Sequence, residues 1–263
     1  MNEVQLTDRQ MREREYYNTY LKHEAPDEVP SEPVLGQRKR SWNSYWYVAE
    51  LAVQHFKSNK RHLLDFGCGP GYTAVQYAKI GYQVTGFDIS PNNIEHAKQL
   101  ASKYNFEDRT SFSVGLAEVL DFPNESFDIV IGVDILHHVD IGKAIPQCLR
   151  VLRPRGVAIF HEPIRIPVFD TLRESRFGTW LVPNSLSFER HITEDEKKLT
   201  AGDLELIKSF DPTMDLRSFL LFSRLEKFFR GQQEVLEKFD HFLFKWLPFS
   251  QRFGGRIVLS LHK

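Results

Sequence analysis

The sequence predicts an α/β fold in which helices cover both faces of a doubly wound, mainly parallel sheet. A short apolar run over 63–66 ends in a turn, 67–71, that contains three glycines. A second apolar run ends about twenty residues later at Asp88. Strand and helix patterns then alternate as far as His161, which is typical of parallel strands joined by right-handed crossovers. We therefore expect a ligand site where the carboxyl ends of these strands meet.

The composition is that of an ordinary globular protein. Of the 263 residues 41% are hydrophobic and 26% are charged, and the formal net charge is −1. This charge disfavours broad attraction to nucleic acid, and the sequence has no run of eighteen apolar residues that would span a membrane. The two cysteines, Cys68 and Cys148, have no disulfide or metal-ligand spacing. We expect a cytoplasmic protein without a resident metal.

The first 40 residues are predicted to form an N-terminal helical flap. Residues 8–22 carry dense mixed charge around Tyr16 and Tyr17, at a spacing that places the tyrosines and their neighbours on one side of a short helix. The helix is expected either to pack on the core or to close over the ligand. Residues 25–35 hold three prolines and are predicted to be a linker.

Residues 41–263 are predicted to form the main domain. Ser41 is expected to cap a helix that runs to about Phe56. The pattern then predicts strands over 63–66, 82–87, 111–114, 127–133 and 156–161, with helices over 72–79, 91–104 and 143–152 between them. The run over 127–133 is nearly all apolar, as expected for a strand that is covered on both faces.

The alternation ends after residue 161. Residues 163–215 and 223–250 are predicted to be lid or insertion elements, with a helix over 203–210 and a strand over 214–222. A longer helix is predicted over 225–247, where apolar residues recur on one face, and Pro248 ends it. The last strand is predicted over 256–261.

The glycine turn identifies a family. Residues 65–71 read Asp-x-Gly-x-Gly-x-Gly, which resembles motif I of class I S-adenosylmethionine-dependent methyltransferases. The dinucleotide pattern Gly-x-Gly-x-x-Gly is not matched, and Pro70 removes an N–H donor from the turn. The resemblance implies a Rossmann-like, seven-stranded sheet whose last strand is antiparallel, and S-adenosylmethionine as cofactor.

The resemblance also implies the residues that bind the cofactor. The turn glycines would lie under its methionine portion, Asp88 would bind its ribose and Ile89 would face its adenine. Leu116 stands where the family commonly has an aspartate that accepts from the adenine amino group. Either Glu118 replaces that aspartate, or adenine is held by stacking and the Ala117 N–H. The glycines are Gly67, Gly69 and Gly71, and a backbone carbonyl near Val133 is implied to contact the cofactor's amino group.

Two histidines follow the fourth predicted strand. His137 and His138 would lie beside the substrate opening, where a neutral imidazole with a pKa of about 6.5 can take a proton from an acceptor. Either could instead only tie a loop to the neighbouring helix. His161, Glu162 and Arg165 also face the expected cleft, as ligands of a polar acceptor or, for the last two, as an internal salt bridge.

The leading hypothesis is methyl transfer to a small or medium organic acceptor with a hydrophobic part. The 21 phenylalanines suit an apolar pocket or a phenylalanine-rich core. Competing interpretations are a nicotinamide oxidoreductase, an RNA methyltransferase, and a non-catalytic protein that binds cofactor or a partner. A homodimer through the long aromatic helix is a further expectation.

Overall fold

A computed structural model describes residues 6–24, 40–57, 61–166, 197–223 and 231–263. The predicted linker over 25–35, most of the lid over 167–196 and the start of the long helix over 224–230 lie outside the described residues. In the described part of the chain, no helix combines the length and apolar character needed to cross a bilayer.

The described residues form strands and helices in alternation, as predicted. The helices are α1 (Asp8–Glu24), α2 (Ser44–His55), α3 (Tyr72–Ile80), α4 (Pro91–Lys103), α5 (Ile141–Val151), α6 (Ala201–Phe210) and α7 (Gln233–Trp246). The strands are β1 (His62–Phe66), β2 (Gln83–Asp88), β3 (Thr110–Val114), β4 (Phe127–Val133), β5 (Leu152–Pro163), β6 (Asp215–Phe219) and β7 (Arg256–His262).

The strands form one sheet in the order β3-β2-β1-β4-β5-β7-β6. β1 to β5 are parallel, and β7 lies antiparallel between β5 and β6. This confirms the predicted seven-stranded topology with an antiparallel last strand. β2 and β3 lie on one side of β1, and the strands from β4 onwards lie on its other side. A crevice therefore opens at the carboxyl ends of β1 and β4.

Alternate residues of the central strands fill two cores. Leu63 of β1 points to one face, where α2 and α3 pack, and Leu64 points to the other, where α5 and α6 pack. Both side chains are fully buried. Because successive side chains in a strand point to opposite faces, this double burial explains the nearly continuous apolar runs in the sequence.

Helix caps and strand ends differ from the predictions in places. Asn43, not Ser41, caps α2 by accepting the Trp46 N–H, and Ser41 instead donates to Glu50. β5 begins at Leu152, before the predicted start at 156, and follows α5 with no loop between them.

The long aromatic helix exposes most of the apolar face that the sequence predicts. Phe239 and Phe242 of α7 are 50% and 56% exposed, whereas Asp240 is buried. The Asp240 carboxylate accepts the backbone N–H groups of residues 221–223, and this bonding holds the acidic side of the helix against the protein. Of the predicted aromatic face, only Phe244 is buried among the described residues.

Candidate active site

The glycine turn lies between β1 and α3, and two of its glycines have distinct roles. Gly71 caps α3 with φ of 89°, and a Cβ there would lie 2.7 Å from the Ala97 Cβ. Close packing of α3 against α4 therefore requires this glycine. Gly69 has φ of 49°, and nothing lies within 4 Å of the position its Cβ would take. Its backbone consequently offers an open surface to a ligand. Gly67 also has positive φ and packs against Ile135.

Asp88 connects the end of β2 to this turn. Its Oδ2 accepts the Gly69 N–H at 3.0 Å, and its Oδ1 accepts from the Ser90 N–H at 2.9 Å and from Asn93 Nδ2 at 3.0 Å. Burial raises the pKa of Asp88, while these three hydrogen bonds and the charge of His138 act in the opposite direction. Oδ2 keeps capacity for a further donor such as a ribose hydroxyl. Ile89, the next residue, is half-buried.

Asp65 lies beneath the turn at the end of β1. Thr73 donates its hydroxyl to Asp65 Oδ2 at 2.7 Å. Burial raises the pKa of Asp65 to about 7, and the hydrogen bonds from Thr73 and Ala74 only partly oppose this. The carboxyl group therefore titrates near neutral pH.

The segment after β3 is held from two sides. Ala117 is buried and Leu116 is half-buried. Glu118 accepts the Asp140 N–H at 3.1 Å and a hydrogen bond from Gln10 of α1 at 3.2 Å, so both of its oxygens are engaged within the protein. Arg150 of α5 donates to the carbonyl oxygens at 120 and 122, each at 2.8 Å. These bonds fix the segment that the resemblance places beside adenine.

His137 is oriented by a carboxylate from the neighbouring strand. Its Nδ1 lies 2.6 Å from Glu162 Oε2, and both residues are buried. The other oxygen of Glu162 accepts the N–H groups of Ile135 and Leu136 at 2.9 and 2.7 Å. Because an ionised carboxylate only accepts, the His137 Nδ1 carries the proton of this hydrogen bond.

His138 is contacted by α1 on both of its ring nitrogens. Nδ1 lies 3.2 Å from Glu13 Oε1, and Nε2 lies 3.1 Å from the Tyr17 hydroxyl. Arg9 of the same helix donates to the His137 carbonyl oxygen. The two neighbouring histidines thus have different partners: a strand residue for His137 and a helix for His138.

A second polar cluster lies at the ends of β4 and β5. Asp134, which has φ of 54°, accepts from Arg256 and from the Tyr45 hydroxyl. Burial opposes ionisation of Asp134, but the Arg256 guanidinium outweighs it and lowers the pKa of this carboxyl. His161 lies 2.9 Å from the Ser44 hydroxyl, its ring centroid is 4.3 Å from that of Tyr45, and burial lowers its pKa to about 3. His161 is therefore neutral at physiological pH.

The structure brings the sequence-predicted residues to one edge of the sheet. The turn glycines, Asp88, Val133 and the two histidines all follow the carboxyl ends of β1, β2 and β4. Sequence reasoning missed the contacts of Tyr45 and Arg256 with Asp134, because these residues are far apart in the chain. It also missed Glu13, although polar residues at a four-residue spacing in α1 were an available signal.

Comparisons with known proteins agree with this arrangement. The family described as "Methyltransferase domain" matches residues 64–160. The 27-O-demethylrifamycin SV methyltransferase of Amycolatopsis mediterranei is 38% identical over 141 residues, which are 50% of this chain and 52% of that protein. A ubiquinone biosynthesis O-methyltransferase of Bradyrhizobium sp. (strain ORS 278) is 33% identical over 122 residues, 43% of this chain and 47% of that protein. The chain thus spans about half the length of these relatives.

Solved structures share the fold over a longer range. Geranyl diphosphate C-methyltransferase from Streptomyces coelicolor, in complex with S-adenosyl-L-homocysteine, has a TM-score of 0.61 at 14% identity and covers 98% of this chain and 99% of its own. The [4+2]-cyclase SpnF has a TM-score of 0.54 at 18% identity, with 82% of this chain and 80% of its own covered. At such identities the likeness concerns the fold alone. Residues 64–160 therefore match a methyltransferase domain, and the fold of the described residues is the one that these solved structures share.

Proposed function

We propose that the protein transfers a methyl group from S-adenosylmethionine to a small organic acceptor. The observation that carries this proposal is the junction of Gly69 with Asp88, which joins an open glycine backbone to a carboxylate at the end of β2. The turn admits a ligand beside its main chain, and Asp88 Oδ2 has room for a hydroxyl donor. The residues present therefore fit an adenosyl cofactor.

The proposed cofactor contacts follow the family motif. Asp88 would accept from the ribose hydroxyls, while Ile89, Leu116 and Ala117 would enclose adenine. Because Glu118 is engaged by Asp140 and Gln10, it would fix the adenine segment in place. The remaining proposed contacts are Gly67, Gly69 and Gly71 under the methionine portion and the carbonyl near Val133 at the amino group.

The chain's own contribution to the reaction is mainly alignment. The cofactor supplies an electrophilic methyl group, and ordering of two reactants can be worth roughly 7–11 kcal/mol. His137 is the proposed base, because the Glu162 carboxylate orients its imidazole through Nδ1 in the turn that follows β4. His138 is the weaker candidate, since Glu13 and Tyr17 engage both of its nitrogens. A base suits a hydroxyl acceptor, so we favour transfer to oxygen.

We also propose that residues 1–40 act as a flap and that 163–215 and 223–250 form a lid. Support for the flap comes from α1, which reaches the candidate site through Arg9, Gln10 and Tyr17. For the acceptor we propose a hydrophobic part, which the 21 phenylalanines of the sequence favour.

The same aromatic face leads to a proposal about assembly. Phe242 and Trp246 lie with ring centroids 5.7 Å apart and are 56% and 68% exposed. We propose that they form a contact between two copies of the chain. Light scattering should then report a dimer that Phe242→Glu disperses, whereas a monomer at high concentration would exclude this contact.

A cytoplasmic location is proposed from the two free cysteines, Cys68 and Cys148.

The second candidate function is cofactor binding without methyl transfer. It is favoured by Leu116, which cannot accept a hydrogen bond from adenine, and by the fold likeness to a protein named as a cyclase. A turnover assay separates the two candidates.

Titration calorimetry with S-adenosylhomocysteine and with NADH tests the cofactor. We expect S-adenosylhomocysteine to bind and NADH not to bind; binding of NADH alone would favour an oxidoreductase.

Labelled S-adenosylmethionine is then incubated with a panel of phenols, carboxylic acids and amines that carry apolar substituents. Label in a product supports methyl transfer, and binding without labelled product across the panel supports the second candidate.

A further inference from the structure

The inner side of α1 is polar. Arg9, Glu13 and Tyr17 recur every four residues and therefore lie on one side of the helix. Each contacts the turn that carries His137 and His138. A helix that packed only to cover a core would present apolar residues there.

Glu13 is buried, and only one of its oxygens has a partner. The residue is 4% exposed, and its Oε1 lies 3.2 Å from His138 Nδ1. Its Oε2 is buried and has no hydrogen-bond partner among the residues that the structure describes. Leaving a buried acceptor unsatisfied costs the full desolvation penalty of that group, so such an atom marks a place where another molecule completes the bonding.

The position of Glu13 points to the cofactor. His138, which Glu13 contacts, lies close enough to Asp88 for its charge to act on that carboxylate. One turn further along α1, Asn18 accepts the Ser90 hydroxyl at 2.6 Å, two residues after Asp88. The helix that carries Glu13 thus lies beside the end of β2 that carries Asp88.

We propose that Glu13 is a cofactor-binding residue supplied by α1, whose Oε2 accepts a hydrogen bond from an N–H or O–H group of the bound adenosyl cofactor. This rests on the proposed function. The cofactor carries such donors on its ribose hydroxyls and on the ammonium group of its methionine portion. Either bond would satisfy the buried oxygen and fasten α1 over the bound molecule.

The test compares Glu13→Ala, Glu13→Gln and Glu15→Ala by calorimetry with S-adenosylhomocysteine. Glu15 lies on the exposed side of the same helix and serves as the matched control. We expect Glu13→Ala to raise Kd about 10- to 100-fold, as for loss of a charge-assisted hydrogen bond. Glu13→Gln keeps one acceptor oxygen, so its Kd should lie between those of the wild type and Glu13→Ala. The Kd of Glu15→Ala should equal that of the wild type.

A second ligand identifies the donor. 5′-Methylthioadenosine retains the ribose but lacks the amino-acid portion. If the ammonium is the donor, Glu13→Ala binds this compound as the wild type does; if a ribose hydroxyl is the donor, the loss appears with both compounds. Either result supports the proposal.

Two results would overturn it. One is an unchanged Kd for S-adenosylhomocysteine in Glu13→Ala. The other is faster hydrogen exchange of α1 in the ligand-free variant by the same factor as the loss of affinity, which would mean that Glu13 only docks the helix. If the wild type itself binds neither compound, the proposed function fails as well, so the two failures are distinguishable.

Discussion

Glu162 holds the candidate base through three hydrogen bonds that meet at one carboxylate. It accepts two backbone N–H groups from the turn and the Nδ1–H of His137. The turn and the imidazole are therefore positioned by the same group, and neither can rotate without breaking a buried bond. This fixes the direction in which Nε2 points.

His137→Ala should slow turnover with little effect on cofactor affinity. General bases contribute about 10²- to 10⁴-fold to rate, so we expect kcat to fall within that range. The measurement is kcat together with Kd for S-adenosylhomocysteine, and His62→Ala, at an exposed position, is the control. Full activity in His137→Ala across the pH range would exclude this imidazole as the base.

Asp88→Ala should weaken cofactor binding by about 1–3 kcal/mol, because charge-assisted hydrogen bonds are lost. Part of the effect would arise from Gly69, whose N–H loses its acceptor. Calorimetry measures the change, and the exposed Asp108→Ala is the control. A dissociation constant equal to that of the wild type would remove Asp88 from the site.

The sequence predicts individual site residues only where they lie in a local motif. Gly67 to Gly71 and Asp88 could be located because strand ends and glycine spacing are visible in a short window. The pairing of His137 with Glu162 joins residues 25 positions apart, one in the turn after β4 and one on β5, and that of Asp134 with Arg256 joins residues 122 positions apart. Tertiary packing decides such pairs, and no local pattern records them.

At the scale of elements, α1 is joined to the sheet domain through side chains. Asn18 accepts the Ser90 hydroxyl at 2.6 Å, and its carbonyl oxygen accepts from Asn92 at 2.8 Å. Ser90 also caps α4. The helix therefore rests on the start of α4, next to Asp88.

Asn18→Ala should loosen α1 without affecting the core. Loss of one side-chain hydrogen bond is worth about 0.5–1.5 kcal/mol, which corresponds to about two- to tenfold faster hydrogen exchange of the α1 amides. Mass spectrometry of the exchanged peptides measures this, and Thr19→Ala on the exposed side is the control. Equal exchange in the two variants would show that Asn18 does not fasten the helix.

Element types were predictable, whereas caps and buried faces were less so. Asn43 and Ser41 are both good capping residues, and two residues of sequence cannot rank them. The apolar residues of α7 predicted one apolar face, but Asp240 accepts three backbone N–H groups, so the acidic side of the helix is buried and much of the apolar face is exposed. The backbone N–H groups of the neighbouring loop, residues 221–223, therefore decide which side of α7 is buried, and the apolar periodicity of the helix does not.

For the whole molecule, the alternation of strands and helices predicted a doubly wound sheet, and the family resemblance implied seven strands with an antiparallel last strand. The pH dependence of the free energy of unfolding can be predicted only from the structure, because it depends on which carboxyl groups are buried. The folded pKa of Asp65 is about 7, above its ordinary value of 3.8, so the folded state holds a proton that the unfolded state releases. This residue therefore makes the protein progressively less stable as pH rises from about 4 to about 7.

Asp65→Asn should remove that contribution, because the amide stays neutral. The melting temperature of the variant minus that of the wild type should be larger at pH 8 than at pH 5. Each unit of pKa shift corresponds to about 1.4 kcal/mol in the free energy of unfolding. Calorimetric melting at both pH values measures the difference, with Asp108→Asn as the exposed control. A difference that does not change with pH would place the carboxyl group outside the titrating range.

The contact between Gly71 and Ala97 limits how this protein can change over time. Neither position can gain even a methyl group while the other stays as it is, since the two helices already touch at that point. A larger residue at one would have to wait for the helices to move apart, and that shift would also move Asp88 away from the turn. Divergence within the lineage is therefore expected to accumulate at the lid and in the aromatic helix, while this pair of small residues stays unaltered.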